Sequence, residues 1–207
     1  MAIPNKILKP VVFVAALAPL LRLVVLAVQS ELGANPIEVI THETGLWALI
    51  LLLVTLAVTP IRRLAGFYSL IRYRRMIGLF AFFYGVLHFL TYVWLDQFFD
   101  VQSIVKDVYK RPFITMGFAA FVLMIPLAVT STKGWIRRLG KRWQLLHRLI
   151  YFSAAAGVIH FIWLVKKDLR EPLMYAAILG LLLGYRVVDR LLTRSRAAAR
   201  TSAANAD

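Results

Sequence analysis

Long uncharged stretches alternate along the chain with short, strongly charged ones. Six stretches run for about the twenty residues that a helix needs to cross a bilayer: Pro10–Val28, Glu43–Pro60, Met76–Leu95, Pro112–Thr130, Leu146–Val165 and Leu173–Leu192. The pattern predicts an all-α integral membrane protein, a bundle of six transmembrane helices over residues 1–192. The remaining residues, 193–207, are rich in Arg, Ala, Ser and Thr and read as a flexible cytoplasmic tail too short for a domain. No A-x-A cleavage site follows the first stretch cleanly, so it reads as a span rather than a leader. Arg22 interrupts it, and must face the bundle, snorkel or mark a shorter span. No internal repeat is apparent.

Charge orients the six spans. The segment before the third span carries Arg62, Arg63, Arg72, Arg74 and Arg75 without an acid. The segment before the fifth carries Lys133, Arg137, Arg138, Lys141, Arg142 and Arg148, again without one. Lys6 and Lys9 sit at the N-terminus, and five arginines from Arg186 to Arg200 near the other end. The three intervening loops hold six basic residues and, with Glu43 at the start of the second span, eight acidic ones. By the positive-inside rule both termini and the two basic loops are cytoplasmic, and the segments Gln29–His42, Asp96–Arg111 and Lys166–Glu171 lie outside.

Composition agrees and excludes several classes. Of 207 residues, 60% are hydrophobic and 17% charged, with a mean hydropathy of +0.72. A soluble domain is nearer half apolar. The net charge of +15 does not make the chain a nucleic-acid binder, which needs no long uncharged runs. The absence of cysteine excludes disulfides, iron–sulfur clusters and the thioether attachment of c-type haem. Neither G-x-G-x-x-G nor G-x-x-x-x-G-K-[ST] occurs, so a nucleotide-dependent donor must come from another protein.

The candidate chemistry lies in the histidines. His42 falls in the first outer loop beside Glu43 and reads as a solvated loop residue. His88 and His160 lie deep in the third and fifth spans, where an ionisable side chain is costly and usually functional. His88 is thirteen residues beyond Arg75, and His160 twelve beyond Arg148, so both sit about 18–20 Å along parallel helices. Two neutral imidazoles at one depth are suited to clamp one iron from both sides. His147, at the inner mouth of the fifth span, is about 20 Å lower and cannot share that iron. It is placed for a second haem or a quinol site. Its counterpart in the third span is Arg74, a possible partner for a haem propionate.

Small residues line the same faces. Gly78, Ala81 and Gly85 lead to His88 at helical spacing, as Ser153, Ala156 and Gly157 lead to His160. They leave room for a porphyrin or simply for close helix packing; both readings use that spacing. Gly180 and Gly184 read as packing alone. Tryptophans and tyrosines fall mostly near the predicted interfaces, as belts do. The basic inner loops are an orientation signal first, and only secondarily a place for a quinone head or a flavin phosphate.

The stretch from Arg74 through Gly78 and Gly85 to His88 resembles the third helix of the ferric-reductase-like transmembrane family. So do Pro126–Ser131 and the run Gly140-Lys-Arg-Trp143-Gln-Leu-Leu-His147-Arg-Leu-Ile-Tyr151 that leads to His160. Arg111-Pro112-Phe-Ile-Thr115-x-Gly117 also looks like a haem-binding membrane subunit of that family, one serving periplasmic methionine-sulfoxide reduction. The resemblance covers essentially the whole chain. It implies a b-type cytochrome with haem between the third and fifth helices, and iron ligation by His88, His147 and His160. It further implies electrons taken from the quinone pool and passed to a separate periplasmic molybdopterin enzyme that repairs oxidised methionine. Flavin mononucleotide is associated with the family, although no flavin motif is visible here. Larger members carry two histidines on each of these helices; here Arg74 stands where one would be. Two rival readings remain: a haem-dependent ferric or cupric reductase, and a cofactor-free transporter or scaffold whose histidines relay protons.

Overall fold

The computed structural model describes residues 5–165 and 167–204; side chains are described for residues 7–165, 167–193 and 195. Every regular element among them is helical: α1 (Asn5–Val28), α2 (Pro36–Ala65), a 3₁₀ turn (Tyr68–Arg72), α3 (Arg74–Leu90) with a π-helical extension (Thr91–Asp96), α4 (Val101–Lys110), α5 (Pro112–Val129), α6 (Lys133–Leu139), α7 (Lys141–Leu146), α8 (Leu149–Leu164) and α9 (Arg170–Ala204). Six of these segments are long and apolar enough to cross a membrane, with α7 and α8 together forming the fifth. The six-span all-α architecture expected from the hydropathy pattern is the observed one.

The boundaries differ where charge misleads. α2 starts at Pro36, seven residues before the apolar run, because local chemistry favours a start there. The Asn35 side chain accepts from the Glu38 amide at 3.3 Å, and Pro36 occupies the first helical position, where its missing N–H costs nothing. His42 is therefore a helical residue of α2, not a loop residue as expected, although it is exposed. At the other end α9 continues to Ala204, past the apolar run that ends at Leu192; Asp207 and its two preceding neighbours lie outside the described residues. Lys166, counted above in a loop, also lies outside them. Arg22 resolves differently from any one expectation: its guanidinium is exposed and stands 3.9 Å from the Glu43 carboxylate of α2.

Two helical hairpins make the heart of the bundle. α2 packs along α3, and α5 packs along α8; between the hairpins the packing is thinner. The core runs through Leu49, Leu53 and Leu56 of α2, Ala81 and Tyr84 of α3, and Ala154 and Val158 of α8. The small-residue stripes serve this packing. A Cβ on Gly78 would meet Thr55 at 3.5 Å, one on Gly85 would meet Phe121 at 3.7 Å, and one on Gly157 would meet Leu49 at 3.7 Å. The Ser153 hydroxyl, fully buried, donates to the Ala120 carbonyl at 2.9 Å. Gly180 and Gly184 depart from expectation: among the described residues nothing lies within 4 Å of a Cβ at either.

α1 and α9 flank the hairpins and turn apolar residues outward, among them Val14, Val24, Leu181 and Val188. In lipid such a face needs no cover, since the surrounding chains are as apolar as the side chains. The arginine-rich turns after α2 and around α6 and α7 define one end of the bundle, termed here the basic end; the turns before α2 and around α4 define the far end.

Candidate functional site

His88 and His160 meet between the hairpins. Their ring centroids are 6.1 Å apart and the rings stand at 73° to one another. α3 and α8 are the second helices of successive hairpins, which is why residues 72 positions apart reach one level.

Each imidazole is held by the other helix of its own hairpin. The Nδ1 of His88 lies 2.9 Å from the Thr41 carbonyl of α2, and the Nδ1 of His160 lies 2.7 Å from the Phe113 carbonyl of α5. A carbonyl only accepts, so each Nδ1 carries the proton. The tautomer that results leaves Nε2 with its lone pair, the form in which imidazole binds a metal, with a backbone carbonyl orienting the ring from behind. Two imidazoles bound to one iron from opposite sides, with metal–nitrogen bonds of about 2 Å, place their ring centres about 6 Å apart. The observed separation fits that donor set.

Glycines receive both rings. Gly45 lies one helical turn beyond Thr41, and Gly117 one turn beyond Phe113, and each glycine faces its histidine. The same pairs recur along the chain: a shift of 72 residues carries Thr41, Gly45, Gly85 and His88 onto Phe113, Gly117, Gly157 and His160. The hairpins are thus a structural repeat, invisible in the residue pattern because most other positions differ.

A second cluster lies toward the basic end. His147 occupies the turn between α7 and α8, so it is not part of a continuous helix. Its ring stacks on Trp143 with centroids 3.8 Å apart, and its Nδ1 lies 3.2 Å from the Trp143 carbonyl. Its Nε2 is buried without a hydrogen-bond partner, as are the Tyr73 hydroxyl and the Arg62 Nε. Arg186 spans this region, donating to the Leu56 carbonyl at 2.6 Å and lying 5.3 Å over the Tyr151 ring. Arg74 is half-buried and within electrostatic reach of His147, Tyr151, Arg62 and Arg186. His147 and Arg62 thus lie with Arg74 and Arg186 in one cationic region, and an unpaired buried polar atom in such a region is of the kind that a ligand with acceptor oxygens satisfies.

The structure therefore brings together His88 and His160, and sets His147 with Arg74 in a separate place. The residues that sequence reasoning missed are Gly45, Tyr73 and Arg62, together with the two carbonyls. The available signal was the forty-three-residue interval from Gly45 to His88 and from Gly117 to His160.

The family described as ferric reductase like transmembrane component matches residues 44–170, a segment that begins beside Gly45 and contains His88, His147 and His160. The chain belongs to the ferric-reductase-like transmembrane family. Within this family it is similar to proteins named protein-methionine-sulfoxide reductase heme-binding subunit MsrQ. That of Herminiimonas arsenicoxydans is 53% identical over 193 residues, covering 92% of this chain and 88% of the relative. That of Ralstonia nicotianae is 55% identical over 191 residues, with 89% and 88% covered. That of Bordetella pertussis is 53% identical over 195 residues, with 93% and 94% covered. No solved structure matches the chain significantly.

Proposed function

We propose that the chain is a haem b electron-transfer subunit of a bacterial inner membrane, with its basic end and both termini in the cytoplasm. In this reading it carries electrons from membrane quinol to a separate periplasmic molybdopterin enzyme that reduces methionine sulfoxide. The observation that carries the proposal is the His88–His160 pair, with its 6.1 Å ring separation and its two carbonyl-fixed Nδ1 atoms. The name of the similar MsrQ subunits supports the haem and the sulfoxide-reductase association.

In this reading His88 and His160 would hold the haem iron through Nε2, one from each hairpin. The haem, when bound, supplies reversible one-electron chemistry. Everything else falls to the protein. Two histidine ligands leave the iron no open position, which suits electron transfer rather than oxygen chemistry. The Thr41 and Phe113 carbonyls draw on the Nδ1 protons and raise the basicity of the ligating nitrogens. With no cysteine in the chain, the haem is held by coordination and packing, as in b-type cytochromes. His147 would hold a second, inner haem, with the Arg74 guanidinium placed to pair with a propionate. The alternative role of His147, at the quinol site, differs in its haem count.

The test is a reduced-minus-oxidised visible spectrum with a haem count per chain. Sharp low-spin b-type bands are expected, with the contribution of one haem lost on His88→Ala or His160→Ala. A count of two that falls to one on His147→Ala assigns the inner haem; a count of one that His147→Ala leaves unchanged moves His147 to the quinol site. A colourless protein from cells amply supplied with haem overturns the reading in favour of a transporter or scaffold. A reductase of free ferric or cupric ions needs a place for the cation, and among the described residues no three His, Asp or Glu side chains gather to hold one.

A further inference from the structure

We infer that Gly45 and Gly117 are the positioning residues of the iron site: each opens a notch in its helix that admits one axial imidazole and lets its Nδ1–H reach a carbonyl one turn away. The inference rests on the proposed haem ligation by His88 and His160.

The notches are measurable. A Cβ at Gly45 would stand 2.9 Å from both Nδ1 and Cε1 of His88. A Cβ at Gly117 would stand 2.8 Å from Nδ1 and 2.9 Å from Cε1 of His160. These separations are well inside the 3.5–4.0 Å at which non-bonded carbon contacts are favourable. No rotation relieves them cheaply, because each ring is tied by Nδ1 to Thr41 or Phe113. The ring must either leave its carbonyl or carry Nε2 away from the iron.

Other glycines give the contrast. Gly78, Gly85 and Gly157 would place a Cβ in ordinary contact, at 3.5–3.7 Å, and Gly180 and Gly184 would meet nothing within 4 Å. Among the described residues, these two are the glycines whose Cβ would strike a histidine, and they occupy equivalent places in the two hairpins. Their helices also accept the intrinsic cost of a mid-helix glycine, roughly 1 kcal/mol relative to alanine.

The test is a double-mutant cycle in the full-length chain, read with and without haem. Gly45→Ala alone is expected to weaken haem retention about 10–100-fold, as losing an outer-shell partner does, and to shift the low-spin electron paramagnetic resonance signal of what remains. In haem-free protein Gly45→Ala lowers the melting temperature, yet on a His88→Ala background it lowers it no further. Gly45→Ala on a His160→Ala background keeps its full cost, because that ring never touches Gly45. Gly117 with His160 behaves as the mirror case, and Gly180→Ala leaves haem retention unchanged and does not lower the melting temperature. Should Gly45→Ala fail to fold, recovery in the double variant with His88→Ala supports the notch, and no recovery overturns it. Equal cost in both backgrounds, or full haem retention with an unchanged signal, also overturns it. A wild-type chain without haem would refute the functional reading alone, since the haem-free cycle still decides whether each glycine seats its ring.

Discussion

Tyr84 shows how much one buried oxygen can matter in this bundle. Its hydroxyl donates to the Ala16 carbonyl and accepts from the Leu20 amide, both at 3.0 Å. Those two groups are the ends of one α1 turn, so the hydroxyl is inserted into the helix ladder just beside Pro19. Tyr84→Phe leaves a donor and an acceptor with no water to turn to. A loss of about 1–3 kcal/mol is expected, measurable as a lower unfolding midpoint in detergent. An unchanged midpoint would mean that α1 closes its own bond. Residues such as His88 and His160 were legible in the sequence because depth along a span is fixed by the rise per residue. Gly45 and Tyr84 were not, since what they touch lies on another helix and periodicity says nothing of contacts across elements. His42 was misplaced for a related reason: its neighbours Glu38 and Glu43 argue against a span, whereas the Asn35 cap and Pro36 begin the helix regardless.

α4 illustrates an element that hydropathy cannot find. It is a ten-residue amphipathic helix in what reads as a polar loop, capped by Asp100. The Asp100 carboxylate accepts from the Gln102 and Ser103 amides at 3.0 and 3.2 Å and from the Ser103 hydroxyl at 2.8 Å. The Ser103 hydroxyl, first, and the two amides hold its carboxyl below the usual range. A carboxyl with a depressed folded pKa stabilises the helix above its unfolded value, near pH 4, and loses that contribution as pH falls through the folded value. Amides 102 and 103 are therefore expected to exchange faster with solvent deuterium as pH drops below about 4, after correction for the intrinsic rate. Asp100→Ala should show the faster, corrected rate already at pH 7 and no further change on acidification; a wild-type-like rate at pH 7 would remove the cap from the account. α2 makes the complementary point, with its cap at Asn35 legible only once the charge penalty against membrane residence is set aside.

For the molecule as a whole, the decisive arrangement is two tightly packed hairpins joined by a looser seam at which the histidines sit. A haem held by one ligand from each hairpin ties that seam. Under the proposed function, removing it should lower the unfolding midpoint; ligand at a hundred times its dissociation constant contributes about 2.7 kcal/mol. Amide exchange should rise most along α3 and α5, where the hairpins face each other. Equal midpoints for loaded and depleted protein would show that the seam holds unaided. The six spans and their order were legible from hydropathy because lipid imposes the length. The equivalence of the halves was not, since it survives at a few backbone-level positions while lipid-facing side chains are free to differ. That equivalence has a consequence for origins and for design. A single helical hairpin bearing one glycine, one carbonyl a turn before it and one histidine is self-complementary: two copies about a twofold axis would assemble the whole iron site. The present chain is describable as such a pair joined into one polypeptide, with its two halves differing at most other positions.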